Sequence, residues 1–308
     1  MRLHVFLFFT LSACGGPLTL STPNVTPTLA REPTRVDLDP IETRGVVRGD
    51  FSPPGPAAVL TAAMGQELVG RALTGGEPGG YTVRCALDRF VVREEKRPLE
   101  SAELLALYTD LGCEARRATD GGLAWRGELR GRVCEQATNV LGTAVGVTQH
   151  LLDRALSDAA REMASDLALR GLGLRAVPSA RVFADDSQQR SSSGLDDTPW
   201  GPAALQENPG AVDHALHTLD ARDVTLRAAA WNVVAMASSP DDPWLAGEKL
   251  ALDDEALVRF VQYKALARHG GEMALGVLRT AAERDGDDLL AELARDALAT
   301  GGIGLPRR

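Results

Sequence analysis

The alternation of apolar and polar positions changes period along the chain, and each change marks an element. Val59, Ala62, Val69 and Leu73 recur at near-helical spacing and Gly75-Gly76 closes the stretch, which predicts a helix. From Tyr81 the period is two, through Tyr81, Val83, Cys85 and Leu87, then through Leu105, Leu107, Thr109, Leu111, Cys113 and Ala115. Beyond a hairpin-turn sequence, Thr119-Asp120-Gly121-Gly122, it continues in Leu123, Trp125, Leu129 and Val133, opposed by Arg126, Glu128, Arg130 and Arg132. This predicts a three-stranded antiparallel meander with one face buried and one in water, the charged stripe on the wet face. Small residues from Val140 to Val147 lead into a second helix. Its core stripe is Leu152, Leu156, Ala159, Met163 and Leu167, and Gly171 and Gly173 stop it.

Folding the first two strands about Pro98-Leu99 sets Leu87 opposite Leu111, Val83 opposite Ala115 and Cys85 opposite Cys113, all on the apolar face. The two sulfurs are then within reach of a disulfide; the alternative is a pair of buried thiols behaving as small hydrophobes.

The last hundred residues repeat. An apolar residue is followed four, seven and eight positions on by alanine and two further apolar residues, as in Leu226-Ala230-Val233-Val234 and Leu290-Ala294-Ala297-Leu298. Val258-Gln262-Ala265-Leu266 lies between them, with Gln262 in place of alanine, so the period is 32. Asp223, Asp254 and Asp287 precede the copies, and Arg227 and Arg259 follow the leading residue of the first two. Shorter helices are expected near Ala211–Leu219, Trp244–Leu252 and Met273–Ala282. The pattern resembles bacterial HEAT-like repeats, which implies paired helices stacked into a solenoid over 209–302. Arg227 with Trp231, and Arg259 with Tyr263, fall side by side on one flank of the core stripe. If exposed they form a ladder of the residue types that anchor protein interfaces. Otherwise the arginines pair with acids of the neighbouring repeat and the rings are core.

Composition changes the picture between these elements. Eight of the 17 prolines fall in residues 15–56, which predicts an extended tether. Residues 175–208, with Ser191-Ser192-Ser193-Gly194 and Pro178, Pro199 and Pro202, read as a second linker. The fold class expected is therefore a two-layer α+β domain (helix, three-stranded antiparallel meander, helix) over 57–174, then an all-α HEAT-like helical repeat domain. Helix, meander, helix is similar in element order to small domains of outer-membrane assembly and ABC-transport auxiliary lipoproteins.

The first residues decide the address. Met1-Arg2-Leu3-His4, the apolar run Val5 to Leu11 and Ser12-Ala13-Cys14 have the basic, apolar and small-residue parts of a secretory signal, and the run is far short of the roughly 20 residues that span a bilayer. Leu11-Ser12-Ala13-Cys14 resembles a bacterial lipobox. That resemblance implies a signal peptide over 1–13 and a lipid-bearing Cys14 (diacylglycerol on sulfur, an acyl chain such as palmitate on the amine). More than one chain holds a protein firmly on a membrane. Gly15-Gly16 supplies no inner-membrane retention aspartate, so the outer membrane, on its periplasmic face, is the expected location.

Loss of residues 1–13 removes one arginine and takes the formal charge from −9 to −10, which argues against nucleic acid as a partner. Candidate chemistry is sparse. His214 and His217 stand three apart on an expected helix, but no second ligand motif accompanies them, and no metal or cofactor is expected. Ser191–Ser193 lack the Gly-x-Ser-x-Gly setting, and Gly75-Gly76-Glu77-Pro78-Gly79-Gly80 lacks the lysine of a phosphate loop. With no catalytic residues to name, the expected role is a non-catalytic envelope lipoprotein that binds another envelope protein. The alternatives are a lipid-handling or transport-auxiliary role and, less favoured, an envelope hydrolase.

Overall fold

In the computed structural model, which describes residue 20 and residues 34–70, 73–97, 102–138, 144–176, 215–237, 252–269 and 271–300, two short strands come first, β1 (Val36–Leu38) and β2 (Glu42–Arg48). Helix α1 (Pro56–Gly70) and β3 (Leu73–Thr74) lead into three long strands, β4 (Tyr81–Arg97), β5 (Ala102–Arg117) and β6 (Leu123–Thr138). Helix α2 (Ala144–Ser165) is continued by a π-helical turn over Asp166–Gly171, and β7 (Arg175–Ala176) pairs with β3. The C-terminal helices are α3 (Val224–Ala237), α4 (Ala256–His269), α5 (Glu272–Arg284) and α6 (Asp288–Thr300).

Strands β4, β5 and β6 pair antiparallel in chain order, while β1 and β2 both run parallel to β4 along its other edge. The sheet is thus mixed and five-stranded, and residues 14–56 are not tether throughout. Val36 and Ile41, with the isolated Leu20, are buried in the same core as the long strands. Single apolar anchors scattered among prolines carry no period, so composition outweighed them. Pro40 falls between β1 and β2, where no ladder hydrogen bond is asked of it.

Two bulges decide which side chains face which way. Up to Leu87, β4 keeps the register Val83↔Ala115, Cys85↔Cys113, Leu87↔Leu111; the register then shifts at Asp88. The extra residue inverts the alternation, so Phe90 joins the core that holds Leu87 while Val91 joins the opposite one. A second shift, between Ala115 and Arg116, turns Leu123 out of the apolar row, and Leu123 is exposed.

Helices α1 and α2 pack on one face of the sheet. Leu60, Met64, Leu152, Leu156 and Met163 fill the space against Leu87, Phe90, Leu107, Leu111 and Leu129. The approach is close at Gly131, where an added Cβ would lie 3.0 Å from that of Ala159. The other face is wet only in part. Along one half, Arg84 pairs with Asp39 at 2.9 Å, and Glu114 takes Arg116 at 3.0 Å and Arg126 at 2.6 Å. Over the other half the C-terminal helices cover Val91, Leu104, Ala106, Tyr108 and Cys134. Arg132, expected in a solvated stripe, is 0% exposed because those helices close over it. The run Leu104-Leu105-Ala106-Leu107-Tyr108 is apolar without alternation because both its faces are buried.

Among the C-terminal helices, α3 packs on α4, α4 on α6, and α5 on α6. Of the shorter helices expected, Met273–Ala282 falls within α5, a helical turn covers 215–218, and nearly all of Trp244–Leu252 lies outside the described residues. The 32-residue period recurs in hydrogen bonds. Arg227 donates to the carbonyl of Ala221, and Arg259, 32 later, to that of Asp253, also 32 later. The Glu255 amide bonds the Asp253 side chain as the Asp287 amide bonds that of Asp285. Asp223 caps α3 through the Leu226 amide, and Asp287 caps α6 through that of Leu290.

Candidate functional site

Among the described residues, a dense polar constellation lies where the C-terminal helices meet the body. Its first cluster joins the sheet to α6. Arg132 on β6 donates from Nε to Asp296 Oδ2 at 2.8 Å and faces Asp110 of β5 at 2.7 Å. Arg89 of β4 also pairs with Asp296, and Arg93 reaches Glu292 at 3.2 Å. The Tyr108 ring lies between the Arg89 and Arg132 guanidiniums, 5.0 and 5.3 Å from its centroid, within cation–π range. The bulge at Asp88 is what turns Arg89 and Arg93 toward α6. Burial alone would push the Asp296 carboxyl up, but Arg132 and Arg89 outweigh it and hold the group below the usual carboxylate range. Burial, with Glu292 nearby, pushes the Tyr108 phenol up.

The second cluster joins α2 to α4 with the signs reversed. Glu162 accepts from Lys264 at 2.8 Å and Arg268 at 2.6 Å, and Arg268 also pairs with Asp166. Asp166 opens the π-helical turn and is paired with Arg170 at 3.2 Å. Asp166 follows Glu162 by four residues, so the two share one helix face, and the π turn that begins there inserts a residue into the helical repeat beyond them. Burial raises both carboxyls; at Glu162, Lys264 and Arg268 win and the group stays low, whereas at Asp166 burial wins and the group titrates above its ordinary range. Every one of these acids is matched to a base, an arrangement that holds two layers in one orientation.

The surface ladder expected from Arg227, Trp231, Arg259 and Tyr263 does not form. Trp231 is 6% exposed and Tyr263 2%, both in the core of the helical part. Arg227 pairs with Asp253 at 2.8 Å and Arg259 with Asp285 at 3.5 Å, so both arginines are engaged within the helical part. Tyr263 completes the second copy by donating from its hydroxyl to Asp285 at 2.7 Å. The rings lie inward because successive long helices pack along that same flank, which leaves no free edge to the stripe.

Cys85 and Cys113 are disulfide-bonded across β4 and β5, and Cys134 is a buried cysteine outside that bond. Cys14, His214 and Ser191–Ser193 lie outside the described residues; His217 is exposed. Among the described residues no group of His, Cys, Asp and Glu is arranged to hold a metal ion, and no helix is long and apolar enough to cross a membrane. An open groove of about 470 Å³ runs beside the start of α1, lined by Pro40, Ile41, Thr43, Pro54, Pro56 and Ala57 among others.

No family model matches this chain, and no curated protein matches it. Three solved structures are similar in part. A candidate lipoprotein from Caulobacter crescentus is 18% identical, with a TM-score of 0.27, over 43% of this chain and 86% of its own. A Xanthomonas campestris protein of the DUF330 family is 11% identical, with a TM-score of 0.30, over 48% and 91%. A minor lipoprotein from Acinetobacter baumannii is 13% identical, with a TM-score of 0.23, over 46% and 94%. Likenesses this slight leave fold and function to be argued from the chain itself.

Proposed function

We propose that this chain is a non-catalytic bacterial envelope lipoprotein, held by lipid on Cys14 at the periplasmic face of the outer membrane. In this reading its C-terminal HEAT-like repeats act as a binding scaffold for another envelope protein. The observation that carries the anchor is Leu11-Ser12-Ala13-Cys14 standing at the end of a short apolar run. The HEAT-like reading rests on the 32-residue period, which recurs in the arginine and aspartate hydrogen bonds of successive helices.

Leu20 adds a restraint. It is buried in the core of the body, six residues after Cys14. A chain spans at most about 3.5 Å per residue, so a lipid-bearing Cys14 keeps the body within roughly 20 Å of the bilayer surface. A lipid-handling role would need an apolar cavity between sheet and helices. Among the described residues that space holds a continuous cluster of buried side chains, which supports the scaffold reading.

The test compares wild type with Cys14→Ser in a Gram-negative host. The account predicts labelled fatty acid on wild type, wild type in the membrane fraction and the variant in the soluble fraction. Crosslinking of wild-type envelopes should then capture a protein partner that a chain ending before residue 209 does not capture. A membrane-bound Cys14→Ser variant and unlabelled wild type would overturn the anchor; capture that survives loss of 209–308 would overturn the scaffold role.

A further inference from the structure

The seam between the C-terminal helices and the sheet has an unusual make-up. Its apolar part is a short strip, Val91, Leu104, Ala106, Tyr108 and Cys134. Flanking it are two ion clusters of opposite polarity. The body presents arginines (Arg89, Arg93, Arg132) to the acids Glu292 and Asp296 of α6, and acids (Glu162, Asp166) to Lys264 and Arg268 of α4. Two clusters of opposite sign fit together in one orientation only, since any other juxtaposes like charges. They specify docking strongly yet add little to its net stability, because charges desolvated in the closed form regain their hydration when it opens. The strip is continuous with the apolar interior of the helices, but it is narrow beside the charge that flanks it, and contacts within a chain that are rich in polar groups allow the two sides to move relative to one another. The contact of α1 and α2 with the sheet is a longer run of buried apolar side chains, with an ion pair, Arg154 to Glu135 at 2.9 Å, across it.

We infer that the C-terminal helices form a detachable cover, which opens as a body without unfolding the sheet and exposes the strip Val91, Leu104, Ala106 and Tyr108. The device is conformational: the closed form hides one half of a sheet face, and the ion clusters return the cover to one seat. The sheet, its disulfide and the α1/α2 layer keep their shape in both forms.

The molecule carries its own reporter. Of its four cysteines, Cys85 and Cys113 are bonded to each other, so in a full-length Cys14→Ser variant Cys134, buried in the seam, is the thiol left to react. Its rate of modification by a water-soluble thiol reagent is compared with the global unfolding rate, followed by tryptophan fluorescence in denaturant and extrapolated to water. The cover predicts modification faster than global unfolding. Lys264→Met, in the cluster between α2 and α4, should then accelerate it by about tenfold or more, since breaking one side of a buried pair costs a few kcal/mol. Glu292→Gln, at the half-exposed rim of the other cluster, should give a smaller acceleration and keeps the test usable if Lys264→Met does not fold. Modification at the global unfolding rate would overturn the inference. So would fast modification indifferent to both variants, which would report fraying of β6 alone.

Discussion

Arg132 and Asp296 stand 164 residues apart in the chain and 2.8 Å apart in space, Nε to Oδ2, with the arginine fully buried. The pair ties an interior strand position to the last helix. Replacing Asp296 by Asn leaves a buried guanidinium short of a carboxylate and should cost roughly 3 kcal/mol, read as a lower denaturant midpoint. Asp110 still faces Arg132, which keeps the loss from being larger. Replacing both members with apolar residues of similar size, as in Arg132→Met with Asp296→Leu, should recover much of the loss. A double variant as unstable as the sum of the singles would show that the pair is not a coupled unit.

Glu162 and Asp166 lie one turn apart yet should respond to pH in opposite senses. Glu162 titrates below its ordinary value, so its contribution is present above the unfolded-chain pKa and lost as pH falls through the folded one. Asp166 titrates above its ordinary value, so its favourable contribution belongs to acid and is lost as pH rises through the folded pKa. At neutral pH, Glu162→Gln should therefore destabilise clearly, while Asp166→Asn should cost little. The penalty of Glu162→Gln should shrink on acidification below the ordinary carboxylate range. Urea midpoints at neutral and acid pH check both, and an Asp166→Asn penalty equal to that of Glu162→Gln would contradict the assignment.

The disulfide closes a loop with a sequence separation of 28 between two central strands. Cys85→Ala with Cys113→Ala should lower stability by about 3 kcal/mol, mostly by freeing the unfolded chain. Thermal unfolding of the oxidised, reduced and double-alanine forms measures it; equal midpoints would mean that the bond contributes nothing.

Trp231 and Tyr263 occupy equivalent positions in successive copies and both face inward. Trp231→Ala should cost about 3–5 kcal/mol as a core truncation. Tyr263→Phe should cost about 1 kcal/mol, the net worth of its hydrogen bond to Asp285. A Trp231→Ala variant as stable as wild type would place the ring on the surface after all.

Much of this was legible wherever a period was long enough to read. The three long strands, the register that sets Cys85 opposite Cys113, the second helix and the 32-residue spacing of Leu226, Val258 and Leu290 all follow from alternation or repetition. The first helix was placed but its stripe was not: Ala62 and Val69 are exposed, Leu73 lies in β3, and the buried positions are Val59, Leu60, Ala63, Met64 and Leu68, because apolar residues stand all round this helix and leave no single face to read. What escaped it has physical reasons. Strand β1 is three residues long, too short for any period. The bulge at Asp88 inverts a face with no glycine or proline on β4 to mark it; the glycines that accommodate it, Gly45 and Gly112, stand on the neighbouring strands, where sequence does not connect them to Asp88. Arg132 sits among Arg126, Glu128 and Arg130 like a solvent-facing residue, and only the distant Asp296 makes it interior. The apolar run Leu104 to Tyr108 was the one local sign that both faces of β5 are covered. The Arg227 and Arg259 positions were found correctly as a pair, but whether they face solvent or Asp253 and Asp285 depends on packing between copies.

The account rests first on where the mature chain begins and what it carries there. Mass spectrometry of the N-terminal peptide from membrane-purified protein tests this directly. The account predicts a first residue of Cys14 bearing a diacylglyceryl thioether and an acylated amine. A peptide that begins at Met1, or one with an unmodified Cys14, would contradict it.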